Sequence, residues 1–334
     1  MNVSLRIPVV PASLFGMVLG LSGLATAWRA AHRVWGLPEV VGEVLAFAAI
    51  FVWAVLIVLY GLKWLVARED AIGELGHPVQ CCFIGLVGVA TTLVAGNLLP
   101  YSPTAAIVLF ALGAAFTLFF AIWRTGGLWR GEREHTATTP VLYLPTVAGS
   151  FVTAAVAGAL GYPDWGQLAF GAGLFSWLAV ESVLLHRLLT VATLPAPLRP
   201  TLGIQLAPAP VGAVAYLSVT QGAPDLLVHA FLGYGLLQAL VLVRLLPWIR
   251  QEPFAPSYWA FTFGATALAA APLRMIERGD SGAVAHLAPF IFVAANVVVA
   301  LVAIGTIALL FRWRLVAKSV AFPAVVASPS RPPA

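Results

Sequence analysis

Apolar residues run on for twenty or more positions at a time in this chain, broken by short polar, proline-rich joints. Ten such segments are readable, at approximately 11–30, 40–64, 78–99, 102–124, 140–161, 166–190, 201–220, 224–247, 256–274 and 283–311. A helix needs ~20 apolar residues to cross a hydrocarbon core of ~30 Å. Only helices or closed barrels satisfy their backbone in lipid, and continuous rather than alternating runs exclude the barrel. The expected fold is an all-α polytopic membrane protein, with one domain over 1–315 and a disordered Pro- and Ala-rich tail over 316–334. The stretch LATA, ending at Ala27, imitates a signal-peptidase site. Only Arg6 marks a positive region before it, so the segment reads as a retained first span.

The joints alternate in character. LLPYSP, LGYPDW and TQGAPD are short and carry no Lys or Arg, whereas the joints between them are longer and basic. The basic joints enter the next odd-numbered segment through prolines, as in GHPVQ, TTPVLYLP, RPTLGIQLAPAP and EPFAPSYW. This pattern reads as one helical hairpin repeated five times. Of the 18 Lys and Arg residues, only Arg29, Arg33, Arg274 and Arg278 fall at the end opposite the basic joints. The positive-inside rule therefore places both termini in the cytoplasm. Pro145, Pro208, Pro210 and Pro272 interrupt odd segments, and Ser and Thr also favour them. A proline frees a carbonyl, which membrane protein tolerates where other protein groups or a cavity take it up. Odd helices are thus expected inside and even helices outside, against lipid.

Composition supports the class and narrows the chemistry. Of 334 residues 61% are hydrophobic and 9% charged, and mean hydropathy is +0.95. The net charge of +5 and pI near 9.6 come from residues scattered over joints, with no basic block to follow a phosphate backbone, so nucleic acid is not an expected partner. Cys81 and Cys82 are adjacent in an apolar run and have neither disulfide-framework nor zinc spacing. No metal-ligand cluster, phosphate loop or Ser/His/Asp set is present, so neither an enzyme nor a cofactor is expected. His77 reads as an interfacial cap. The odd segments carry charge only at their ends, at Arg29 and Arg274, while Glu181 is the deepest acid of the even set. Glu181 is expected either to form a structural ion pair or to relay protons.

The segment SYWAFTFGATALAA sets Tyr258, Trp259, Phe261 and Phe263 against Gly264 and a run of alanines. At 100° per residue Trp259 and Phe263 share one helix face, and Phe261 lies about 200° away from either. From these residues alone Phe263 reads as an ordinary packing aromatic.

Seven stretches together carry a resemblance: SLFGMVLGLSGLATAWR, GHPVQ, WRTGGLWRGEREHTATTPVLYLPTVAGSF, GALGYPDWGQLAFGAGLFSWLAVES, TLGIQLAPAPVGAVAYLSV, GYGLLQALVLVRLLPW and PSYWAFTFGATALA. They resemble the tellurite-resistance/dicarboxylate transporter family, whose bacterial branch is the TehA proteins and whose distant members are the plant guard-cell slow anion channels. The resemblance implies ten helices as five hairpins around a quasi-fivefold central pore, a homotrimer with one pore per protomer, and the bacterial inner membrane as location. It implies a gate at Phe263, with Gly16 lining the pore or packing beside it. Gly20, Pro145, Gln205, Pro208 and Gly264 are further candidates for pore-lining or pore-adjacent positions. Gly264 and Ala267 are expected to leave the gate ring room to swing.

Two transport mechanisms remain open, with small anions and the lipid bilayer as partners. One is a gated anion channel or uniporter, whose uncharged route would bind anions weakly enough to release them. The other is a proton-coupled secondary transporter of C4-dicarboxylates, sulfite or tellurite, with Glu181 as the coupling group. The absence of Arg or Lys from the middles of the odd segments, along the expected pore, argues for small monovalent anions, since bidentate arginine is the usual carboxylate clamp. A scaffold or sensor with a vestigial pore is the third reading.

Overall fold

The computed structural model describes residues 9–131, 133–312 and 314–315; the tail expected to be disordered lies outside the described residues. Among the described residues, ten helices are long and apolar enough to cross a membrane. They are α1 (Ala12–Trp35), α2 (Glu39–Val66), α3 (Gln80–Leu98), α4 (Pro103–Leu128) and α5 (Pro140–Ala159), then α6 (Pro163–Thr190), α7 (Ala196–Val219), α8 (Leu226–Ile249), α9 (Pro256–Glu277) and α10 (Ala283–Phe311). One short helix, Arg68–Gly76, follows α2, and there are no strands among the described residues.

Each odd helix packs on the even helix that follows it, which gives five hairpins. The odd helices also pack in a closed cycle: α1 on α3, α3 on α5, α5 on α7, α7 on α9, and α9 back on α1. Burial follows the same division. In the most apolar stretch of each odd helix 61–78% of residues are buried, against 22–33% for the even helices. The even helices instead expose large apolar side chains such as Phe51, Phe119, Phe175, Val243 and Phe290. A surface of that kind is compatible with lipid and not with water.

The two sets differ in backbone as well. All five even helices are continuous α-helix. Every odd helix begins in tighter or looser turns and becomes α-helical only further in. Ala12–Phe15 of α1, Gln80–Gly85 of α3, Ala196–Leu206 of α7 and Pro256–Trp259 of α9 are 3-10 helix. α5 opens with a 3-10 turn at Pro140–Leu142 and a π turn at Leu144–Ala148. The proline-rich joints account for this, because proline fixes φ and withholds the donor that an α-helical ladder needs.

Small residues let the odd helices approach closely. A Cβ at Gly20 would lie 2.2 Å from Thr262 Oγ1, and one at Gly23 would lie 2.1 Å from Thr266 Oγ1. Both threonines turn their hydroxyls back onto their own helix, to the Trp259 and Phe263 carbonyls. At the end where the odd helices start, a buried cluster locks the beginning of α1 to α2 and to the short helix that follows it. Glu74 accepts from Lys63 Nζ at 2.7 Å, Tyr60 OH at 3.2 Å and the Ala12 amide at 2.8 Å. His77 caps the entry of α3, its Nδ1 accepting from the amides of Val79 and Gln80, both at 3.1 Å. Cys81 and Cys82 are buried free thiols in the core.

Candidate functional site

All five odd helices contribute to a cavity of about 60 Å³ on the inside of the cycle. It lies where their irregular first turns give way to α-helix. α1 supplies Ser13, Gly16 and Leu19; α3 supplies Phe83 and Leu86; α9 supplies Trp259, Ala260 and Phe263. α5 contributes from Tyr143 to Phe151, and α7 contributes Ile204, Ala207, Pro208 and Val211. One water centre needs roughly 10–15 Å³ of such space, so only a few waters fit. The walls are almost wholly hydrocarbon. Tyr143 turns its hydroxyl away to Glu181, and Trp259 gives its indole N–H to Thr306 Oγ1 at 2.8 Å.

The aromatics of α9 divide by helix phase. Trp259 and Phe263, four residues apart, both face the cavity. Phe261 faces away, its ring stacked on Tyr258 at 6.1 Å between centroids. It also covers Gly203, where a Cβ would come 2.5 Å from the Phe261 ring. Gly16 lies beside Phe263 in the lining, with its missing Cβ position 3.4 Å from Trp259 Cβ.

Among the other positions expected at the pore, Pro208 also lines this cavity, and four do not. Gly20 is the α1–α9 contact described above. Pro145 is buried within the π turn of α5, with its neighbour Leu144 in the lining. Gly264 has a packing role against α7. A Cβ there would sit 2.8 Å from the carbonyl carbon of Leu206 and 2.9 Å from the Ala207 amide, so the glycine brings α9 against the backbone of α7. Backbone cannot rotate aside as a side chain does. Gly264→Ala is therefore expected to cost about 1–3 kcal/mol through overpacking, measured as a lower thermal midpoint of the purified protein.

Gln205 is turned away from the cavity toward Glu181. Glu181 makes no ion pair, which corrects the structural ion-pair expectation: no cation lies within 4 Å of it among the described residues. Its carboxylate is met by neutral donors from four helices. Trp177 Nε1 and Gln205 Nε2 donate at 2.9 Å, Tyr234 OH donates at 2.5 Å, and Tyr143 OH donates as well. Gln205 Nε2 also reaches the Tyr143 oxygen at 2.9 Å. Hydrogen bonds from several dipoles compensate the buried charge where one cation would otherwise be needed. Tyr143 belongs to both places, with its ring in the cavity wall and its hydroxyl in this network. Periodicity could not reveal that link, since it joins residues 38 positions apart.

A cycle of five inner helices around an apolar cavity is a recognisable arrangement. The family model for voltage-dependent anion channels, SLAC1, matches residues 9–307. The chain belongs to this family. It is 36% identical over 308 residues to the "Tellurite resistance protein TehA homolog" of Haemophilus influenzae, with 92% of each chain covered. It is 24% identical over 318 residues to the "Guard cell S-type anion channel SLAC1" of Arabidopsis thaliana, covering 91% of this chain and 56% of that one. A third relative, the "Uncharacterized transporter MJ0762" of Methanocaldococcus jannaschii, is 25% identical over 279 residues, covering 75% of this chain and 80% of that one. Membership of the family supports anion transport by a multi-pass membrane protein.

Proposed function

We propose that this protein is a gated anion channel or uniporter, conducting small anions along the axis of the five odd helices, with Phe263 as its gate. The observation that carries the reading is the position of Phe263 in the lining of the apolar cavity to which all five odd helices contribute. An aromatic ring in an uncharged constriction strips water from an ion, and the cavity walls return almost no hydrogen bonds in exchange. No cationic side chain is in the lining, so a passing anion would meet no deep binding well. Both termini lie in the cytoplasm on this reading, the membrane is the bacterial inner membrane, and the protomers form a homotrimer with separate pores.

Anion current through planar bilayers, with purified wild type and Phe263→Ala protein, tests this directly. Current that appears or rises strongly in the variant supports the gate. Silence in both, from folded protein, overturns it. The proton-coupled alternative rests on one observation, the buried carboxylate of Glu181 joined to the cavity wall through Tyr143. Its mark is flux that depends steeply on pH in the wild type and is flat in Glu181→Gln.

A further inference from the structure

The opposite ends of the odd helices hold a second cavity, larger and more polar than the first. It has a volume of about 200 Å³ and lies among the last turns of α5, α7 and α9, lined by Gly158, Ser218, Arg274, Glu277 and Arg278 among others. Four arginines occupy this end of the protein. Arg29 is paired with Glu43 at 2.8 Å, and Arg33 with Glu277 at 2.7 Å. Arg274 and Arg278 have no carboxylate within 4 Å among the described residues.

Part of their role is structural. Arg278 Nη2 donates to the carbonyls of Leu217 and Thr220 and so satisfies open carbonyls at the end of α7, whereas Arg274 Nη1 donates at 3.2 Å to the Val214 carbonyl, which already accepts from Ser218 Oγ at 2.8 Å. That role uses little of Arg274. A guanidinium carries five N–H donors, and only Nη1 is engaged, with its other bond going to Ser218 Oγ at 2.6 Å. Among the described residues the Nε and Nη2 groups have no acceptor. Three helix C-termini meet here, each equivalent to about half a negative charge. Without the arginines this mouth would repel an anion. With the Glu277 carboxylate already answered by Arg33, the two unpaired guanidiniums reverse the sign.

We infer that this cavity is a binding site for a small monovalent inorganic anion, such as nitrate or chloride, held between the free donors of Arg274 and the Arg278 guanidinium. A volume of about 200 Å³ admits such an ion with part of its hydration, since one water centre needs roughly 10–15 Å³ of such space. The planar guanidinium fork suits a planar oxyanion such as nitrate especially well. As a binding site it stands on its own geometry. Its further role, concentrating anions at one mouth of the conduction route, rests on the channel reading.

The test has two arms. In the first, thermal stabilisation of purified protein is followed as nitrate replaces gluconate at constant ionic strength. Wild type is expected to gain stability at millimolar nitrate. Arg274→Gln should need at least tenfold more, and Glu277→Gln, which removes the competing carboxylate and leaves both site arginines, should need less. In the second, Arg274→Gln is added to Phe263→Ala. At low salt the current carried by anions entering from this end should fall about threefold or more, and the difference should disappear near 1 M salt, where the Debye length is about 3 Å. Identical nitrate titrations in wild type, Arg274→Gln and Glu277→Gln overturn the site. If Arg274→Gln does not fold, an unchanged titration in Glu277→Gln overturns it alone. Should Phe263→Ala be silent while nitrate stabilisation still depends on Arg274, the binding site stands and the conduction reading falls.

Discussion

Phe263→Ala is expected to raise anion conductance by about one to two orders of magnitude over wild type. The ring shares an apolar cavity of about 60 Å³ with residues from every odd helix, so its removal opens space at the point where the inner helices converge. Each ~1.4 kcal/mol taken off a barrier is a factor of ten. Replacing a narrow, ring-lined constriction by a wider one that holds more water removes a few kcal/mol of an ion's dehydration cost. Folding should suffer little, because the residue is only partly buried and its neighbours already border open volume. Phe261→Ala is the control. It removes a ring of similar size that stacks on Tyr258 and covers Gly203, so it should lower the thermal midpoint, at a cost of about 2–4 kcal/mol, and leave conductance near the wild-type level. Equal conductance gains from both substitutions would point to general loosening and would sink the gate assignment.

Glu181→Ala is expected to be the most destabilising single polar change in the chain. It strands the hydroxyls of Tyr143 and Tyr234 and the Trp177 indole N–H at once, and leaves Gln205 Nε2 only the Tyr143 oxygen. One unsatisfied buried group costs about 1–3 kcal/mol, and three cannot all find new partners inside a packed bundle. A loss of about 3–5 kcal/mol is expected, read as a fall of roughly 5 °C or more in the thermal midpoint of detergent-purified protein. Glu181→Gln keeps the shape and part of the bonding and should recover at least half of the loss. The same pair separates the two transport mechanisms. A structural carboxylate predicts that Glu181→Gln conducts with the wild-type pH profile once Phe263→Ala is also present. A coupling carboxylate predicts that pH dependence vanishes while the fold is retained. Because the Tyr143 ring stands in the cavity wall, Glu181→Ala should also disturb conduction in the Phe263→Ala background, through displacement of that wall.

Much of the architecture could be read from the chain alone. Ten apolar runs became ten spanning helices at nearly the expected bounds, because the length and hydrophobicity a bilayer demands are written locally in each segment. The inside–outside division was also legible, since proline, serine and threonine are tolerated only where protein surrounds them, and these residues mark the odd segments. Spacing alone placed Trp259 and Phe263 together and Phe261 apart, as the cavity lining and the Tyr258 stack show. What no local signal carries is the rotation and neighbour of each helix. A segment apolar all round has no phase to read. Gln205 read only as pore-lining or pore-adjacent, and the fold turns its amide to Glu181; Gly264 read as ring clearance, and the fold also sets it against the backbone of α7. Glu181 was expected either to pair with a cation or to relay protons; tertiary packing brings it four neutral donors from α5, α6, α7 and α8 and no cation within 4 Å among the described residues. Arg274 and Arg278 read only as topology markers. That they face an open cavity unpaired, while Arg33 claims Glu277, is decided by which helix ends meet, and only the folded cycle brings those ends together.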